Sequence, residues 1–440
     1  DVNIGKLIEI DGFSSLDPNV SSSITTSTFS NGNAREINIS AQNLNVLDGS
    51  GIGSTNFGSG QGGDIQINVA EDVTISGFNQ GTLASNGIGS LTLRTGNSGN
   101  ITINTSKLSI LNSATLSSST LAEGFAGKLT VNASESINIS GAEPELGLES
   151  SIGSGAPVVV SAVVRQSLGI PDLPSGDSGS LVINTPSLIV TDGARVAVAN
   201  RGLGNSGDIE INTNQIHLDT EGRITALSAS GEGGRIELNI QDSLLLRNQS
   251  QITAEADGTG NGGNITINSP VIAGFENSDI IANAVEGNGG NINITTSGIF
   301  GLEFREQLTP ENDITASSEL GVSGTVAINN ISIDPSSGLT ELPVKLADSS
   351  QQISTGCSTN SESAFVATGK GGIPQNPNER VDLNPTWSDV RDLSVFRKQN
   401  NNTEITTISN KPEIIEATGF IRNTKGEIEL VAVENKPFAT

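Results

Sequence analysis

Residues 260–268 read GNGGNITIN and residues 287–295 read GNGGNINIT, nearly the same nine letters 27 positions apart. The ITIN half alternates apolar and polar residues, the period of a strand with one buried face. The GNGG half is turn chemistry. Working outward, the residue that precedes x-apolar-x-apolar-Asn recurs as Arg35, Gly63, Gly99, Gly127, Gly179, Gly207, Gly234, Gly263, Gly290 and Gly324. Successive spacings are 28, 36, 28, 52, 28, 27, 29, 27 and 34. Six of them lie between 27 and 29, and the other three read as one period plus an insertion. A fixed period of this length is the signature of a repeat architecture.

Each period carries further strand-like beats. GNITIN at 99–104 is followed by KLSIL at 107–111 and ATLSSS at 114–119; GSLVIN at 179–184 is followed by SLIV and ARVAVAN. Three short strands per period, with turn residues between them, predict an all-β parallel β-helix of about ten coils and roughly 28 residues per coil. Sandwiches and propellers need antiparallel hairpin phasing, which a single anchored strand per period does not supply. In a β-helix each residue pairs with its equivalent one coil away, at about 4.8 Å. Ile65, Ile101, Leu129, Leu181, Ile209, Ile236, Ile265 and Ile292 then form one inward column. Asn68, Asn104, Asn132, Asn184, Asn212, Asn239, Asn268 and Asn329 form a second, structural series. Two properties of asparagine suit it: tolerance of a left-handed turn and amide stacking along the axis. The glycine before each strand is expected at a tight corner.

Composition agrees with strands. Isoleucine, leucine, valine and alanine alternate with serine, threonine and asparagine, while aromatics are 12 Phe, one Trp and no Tyr. With 22 basic and 48 acidic residues the net charge is −26, so a nucleic-acid backbone is not an expected partner. Such a surface attracts divalent cations such as calcium only loosely, and no cofactor is expected. Cys357 is the single cysteine, which precludes an intrachain disulfide. The most apolar run, APVVVSAVV at 156–164, is too short to span a bilayer, so no transmembrane segment is expected. The chain lacks Met and opens at Asp1 on the strand-like VNIGKLIEI. We therefore expect a processed product or a fragment, with a signal peptide and an N-terminal domain already removed.

Chemistry-bearing constellations are sparse. His217 is the only histidine and sits in an ordinary second-strand slot. Asp208 and Glu210 flank Ile209 on a strand, which puts both carboxylates on the outer face. GQGGDIQIN at 60–68 lacks the Lys-Ser/Thr and helix of a phosphate loop, and the Asp residues at this position lack the tandem nine-residue period of a calcium β-roll. No catalytic, cofactor or metal residue is assigned. Insertions are expected at 141–176 and 297–313 of a rod spanning 1–340. Beyond it, 341–400 reads as an extended connector and 401–440 as a small β element. Phe300, Phe304 and Trp387 are the candidate contact surface, although Trp387 also reads as an anchor for the tail.

The G-N-x-G-x-I-x-I-N repeat resembles the large exoproteins of two-partner secretion, the filamentous-haemagglutinin-like adhesins. The stretch GIFGLEFREQLTPENDITASSELGVSGTVAINNISIDPSSGLTELP at 298–343 is similar to the end of the rod in their cyanobacterial members. FVATGKGGIPQNPNERVDLNPTWSDVRD at 365–392 and GFIRNTKGEIELVA at 419–432 are similar to their C-terminal region. The resemblance implies a right-handed β-helix exported through a dedicated outer-membrane β-barrel transporter and displayed or released at the outer cell surface. The family's secretion domain is not visible here, and its motifs carry no catalytic residues over. The expected function is an extracellular adhesin or matrix structural rod, contacting polysaccharide or further copies of itself. The alternative is a polysaccharide-modifying lyase or hydrolase on the same scaffold.

Overall fold

The computed structural model describes residues 1–330 apart from 83, 86 and 160, together with 419–422 and 428–431. Cys357, Trp387 and the stretch 341–400 lie outside the described residues. The chain divides into two units, Asp1–Val344 and Lys345–Thr440. Within the second, Gly419–Arg422 pairs antiparallel with Ile428–Val431.

The first unit is a parallel β-helix. Eleven strands stack in chain order on its first face, from Val2–Asn3 through Ile37–Ala41 and Ile65–Val69 to Val326–Asn330. The eleventh layer, absent from the sequence count, is Val2–Asn3. Val2 pairs with Ile39, the second apolar position, so the anchor pattern has no first half there. At about 4.8 Å per layer the stack is roughly 50 Å long. A second set of strands, such as Asn43–Leu47 and Asp72–Ser76, continues the first around a bend. From Ile101–Leu111 to Ile236–Leu246 the two legs are single bent strands of eleven or twelve residues. A third face of eleven strands includes Gly51–Asn56, Thr115–Thr120 and Arg195–Asn200.

The expected inward column is present in perfect register. Ile65 pairs with Ile101, Ile101 with Leu129, Leu129 with Leu181, and so on to Ile292 with Val326. The other faces contribute their own columns, among them Leu108, Ile137, Leu188 and Ile216, and Ile88, Leu116, Ile152 and Val196. Nearly all are fully buried and join one continuous core. Each such side chain contributes at most roughly 1.5–3 kcal/mol, the upper end assuming a fully extended unfolded chain.

The glycines of the opening phrase answer to a different cause from the one expected. None of Gly260, Gly263, Gly287 and Gly290 has a left-handed φ. They are required because backbone passes over backbone. A Cβ on Gly260 would lie 1.7 Å from the Gly231 carbonyl oxygen, and one on Gly263 would lie 2.0 Å from that of Gly234. The same contact repeats at Gly99 over Gly63, Gly127 over Gly99 and Gly207 over Gly179. The asparagines between the glycines stitch the layers: the side-chain oxygens of Asn261 and Asn264 accept from the backbone N–H of Asn288 and Asn291. Left-handed conformations fall instead at the corner before the third face, at Asn112–Ser113, Thr220–Glu221, Asn248–Gln249 and Glu276–Asn277.

The insertions differ from expectation in detail. Residues 141–176 form two excursions, because Ser151–Ala156 rejoins the third face between Thr115–Thr120 and Arg195–Asn200. The first excursion is a hairpin, Ala142–Glu143 with Leu148–Glu149; the second carries the helix Ala162–Leu168. A further small hairpin, Phe78–Asn79 with Ala84–Ser85, accounts for the spacing of 36. In 297–313, Gly298–Phe300 keeps its place beside Val271–Gly274. Glu303–Phe304 pairs with Asp313–Thr315 as the last strand of the third face. Arg305 holds this end together by bridging Glu303, Glu311 and the fully buried Asp313.

Placing a methyl group where carbonyl oxygen already sits should be costly. Gly263→Ala is expected to destabilise the helix by about 1–3 kcal/mol in urea unfolding. Gly32→Ala, on the first member of the Gly260 column with no atom within 4 Å of its Cβ, should change stability by less than about 0.5 kcal/mol.

Candidate functional site

The bend between the first two legs carries the most extended of several hollows on the described surface. Asn104, Asn132, Asn184, Asn212, Asn239 and Asn268 line one wall of a groove of about 930 Å³. Residues at the bend complete it: Thr105, Ala133, Thr185, Thr213, Ile240, Ser269 and Thr296, with Pro186 and Pro270 beside them. A second hollow of about 720 Å³ continues it toward Asn3, and the two share Asn104, Thr105 and Ser134. Neither lining contains a charged side chain, in a chain of net charge −26.

The asparagine wall is a hydrogen-bonded ladder. Each Nδ2 donates to the Oδ1 one layer below: Asn104 to Asn68, Asn132 to Asn104 and Asn184 to Asn132 at 2.8 Å, then Asn212 to Asn184, Asn239 to Asn212 and Asn268 to Asn239 at 3.0 Å. Of the two reasons proposed for asparagine here, amide stacking is the one that operates, since none of these residues has a positive φ. Asn329 stands in the same column but is separated from Asn268 by Thr295. The Thr295 hydroxyl is shorter than an amide and makes no side-chain hydrogen bond to Asn268 or Asn329. Among the described residues the amide chain therefore ends at Asn268.

The hydroxyls at the bend are committed to the scaffold. Thr105 Oγ1 donates to the carbonyls of Glu71 and Lys107, Thr213 to those of Pro186 and Gln215, and Thr296 to those of Pro270 and Gly298. They hold the strand in its bent course, where the register slips between Thr105 and Lys107. The amides are less committed. Each ladder Nδ2 carries two hydrogens and spends one on its neighbour. Asn212 and Asn239 direct the second toward Glu210 and Glu237; those of Asn104, Asn132, Asn184 and Asn268 have no second partner among the described residues.

The other residues singled out from sequence fall elsewhere. His217 lies in register between Ile189 and Leu245, 3.6 Å from the Asp219 carboxylate. Asn248 donates to Asp219 and holds its carboxyl below the usual range. Asp208 is taken up by Arg235, through its backbone N–H and its guanidinium at 3.3 Å. Glu210 stacks in register on Glu237 beside the groove. Phe300 and Phe304 are both more than half exposed, at the opposite end of the stack from the ring pair Phe29–Phe57, whose centroids are 4.7 Å apart. Among the described residues no group of three or more His, Cys, Asp or Glu gathers as a metal site, and no helix is long and apolar enough to cross a membrane.

Two expectations follow. Asn184→Asp replaces a two-way amide by a carboxylate that can only accept, leaving the Asn132 oxygen without its donor. The cost should be about 1–3 kcal/mol at neutral pH. It should shrink in acid, where the protonated carboxyl donates again, as denaturant unfolding at several pH values would show. Glu255, which no sequence pattern marks, has its pKa raised to about 7 by burial and by the nearby Asp257 carboxylate. The folded state thus favours the protonated form, and stability falls as pH rises from about 4.5 to about 7. Glu255→Gln should remove that part of the pH dependence and raise the melting temperature above pH 7, but not at pH 4.

Comparison with family models, with curated proteins and with solved structures finds no match to this chain.

Proposed function

We propose that this chain is a secreted cell-surface adhesin or extracellular-matrix structural protein that works as a rigid β-helical rod. The observation that carries the reading is the uninterrupted stack of eleven layers bearing one long, uncharged groove. Repetition along an axis offers the same contact many times, and weak contacts made together become strong attachment. A net charge of −26 keeps such a surface soluble. The similarity of 298–343 and 365–392 to filamentous-haemagglutinin-like exoproteins points the same way, toward export by an outer-membrane β-barrel transporter. Lateral or end-to-end assembly into filaments is part of this reading, because the terminal strands of a β-helix present backbone groups that a further strand could pair.

The alternative of a polysaccharide-modifying enzyme has one foothold, the stacked carboxylates Glu210 and Glu237. Both accept from the ladder amides Asn212 and Asn239, so scaffold geometry already accounts for them.

Electron tomography of cells making the untagged protein, labelled with antibody, tests the proposal. Rods or filaments outside the cell envelope are expected. Label confined to the cell interior would overturn it, and continuous filaments as opposed to isolated rods would decide whether assembly occurs.

A further inference from the structure

We infer that the groove along the asparagine ladder is a binding site for one extended chain of a neutral, β-1,4-linked polysaccharide. This deepens the rod reading by naming what the surface contacts, and it rests on that reading only for where the sugar would be met.

Four observations select this ligand. The first is length. From Asn104 to Thr295 the groove crosses seven layers, roughly 30 Å, too long for a small molecule and matched to a polymer. The second is period. Ladder amides recur once per layer from Asn104 to Asn268, at about 4.8 Å, with the second hydrogen of Asn212 and Asn239 taken by Glu210 and Glu237, whereas same-face side chains of an extended peptide recur at about 6.6–6.8 Å. A pyranose in an extended 1,4-linked chain advances by close to one layer, so successive sugars meet equivalent amides. The third is chemistry. A sugar hydroxyl both donates and accepts, as an amide does, while Pro186 and Pro270 offer apolar surface to ring C–H groups. A peptide added by strand pairing needs a free sheet edge, and here each strand along the groove is already paired with the layers above and below. The fourth is charge. The lining is neutral, and Glu71, Glu135, Glu210 and Glu237 stand just outside it. An anionic glycan would meet repulsion along its length.

Isothermal titration of the full chain with cellohexaose, mannohexaose, their disaccharides and a hexameric oligogalacturonate tests the inference. At least one neutral hexasaccharide should bind tenfold or more tighter than its disaccharide, and tenfold or more tighter than the oligogalacturonate. Gln241→Trp, at an exposed lining position, should weaken that binding at least tenfold with an unchanged melting temperature. Ser134→Arg, at an exposed lining position three layers from Gln241, is the second blocking variant should the tryptophan disturb folding. Failure of both neutral hexasaccharides to bind would overturn the inference. So would preference for oligogalacturonate, binding that survives both variants, or capture of an extended Asn/Ser-rich peptide in place of sugar. Absence of sugar binding by rods that are nonetheless seen outside cells would remove this inference alone. Tight sugar binding by a protein found only inside cells would remove the surface-rod reading alone.

Discussion

Everything in the first unit depends on in-register parallel hydrogen bonding between layers. Once residue i of one coil is paired with its equivalent in the next, every side chain must tolerate a copy of its own kind about 4.8 Å away. Isoleucine tolerates this by packing, and the column from Ile37 to Val326 is the result. Asparagine tolerates it by passing a hydrogen bond along, as from Asn268 down to Asn68. Glycine is the extreme case, where only the lack of a side chain lets the Gly260 backbone lie over the Gly231 carbonyl. Charges stack at a cost under the same rule: Arg235 finds an opposite partner in Asp208, while the in-register pair Glu210 and Glu237 accept from the ladder amides Asn212 and Asn239.

The same constraint explains where the chain can depart from its period. Extra residues leave at a corner and return before the next strand, so the columns above and below remain in contact. The two excursions on either side of Ser151–Ala156 show this, since that short strand keeps its register with both neighbours. The bend between the first two legs, by contrast, admits no more than a one-residue bulge from Ile101–Leu111 to Ile236–Leu246, because one continuous strand runs through it. Threonine hydroxyls bonded to backbone carbonyls hold that bend. A groove without interruptions is a by-product of a corner without loops.

Much of this was legible in the letters. The apolar columns and the asparagine series follow from a period near 28 and from the two-residue alternation of a strand, both properties of the chain itself. The glycines were legible as obligatory but were given the wrong cause, because a turn and a close backbone crossing leave the same mark in sequence. The first layer was missed where the pattern begins part-way, at Val2. Glu255 gave no signal, since its burial depends on what the neighbouring layers place around it.

The sequence by itself determined that the chain repeats, that each repeat is three strands, and which side chains stack on which. These are consequences of periodicity, and periodicity is written locally. Only the tertiary structure decided which surface is concave. The groove is made by residues two positions past each anchor strand's alternation, Thr105, Thr185 and Thr213 among them, and nothing in their identity says whether a bend opens outward or closes. Curvature belongs to the angle between two legs of a coil, and that angle is set by how the three inward columns fill the interior together.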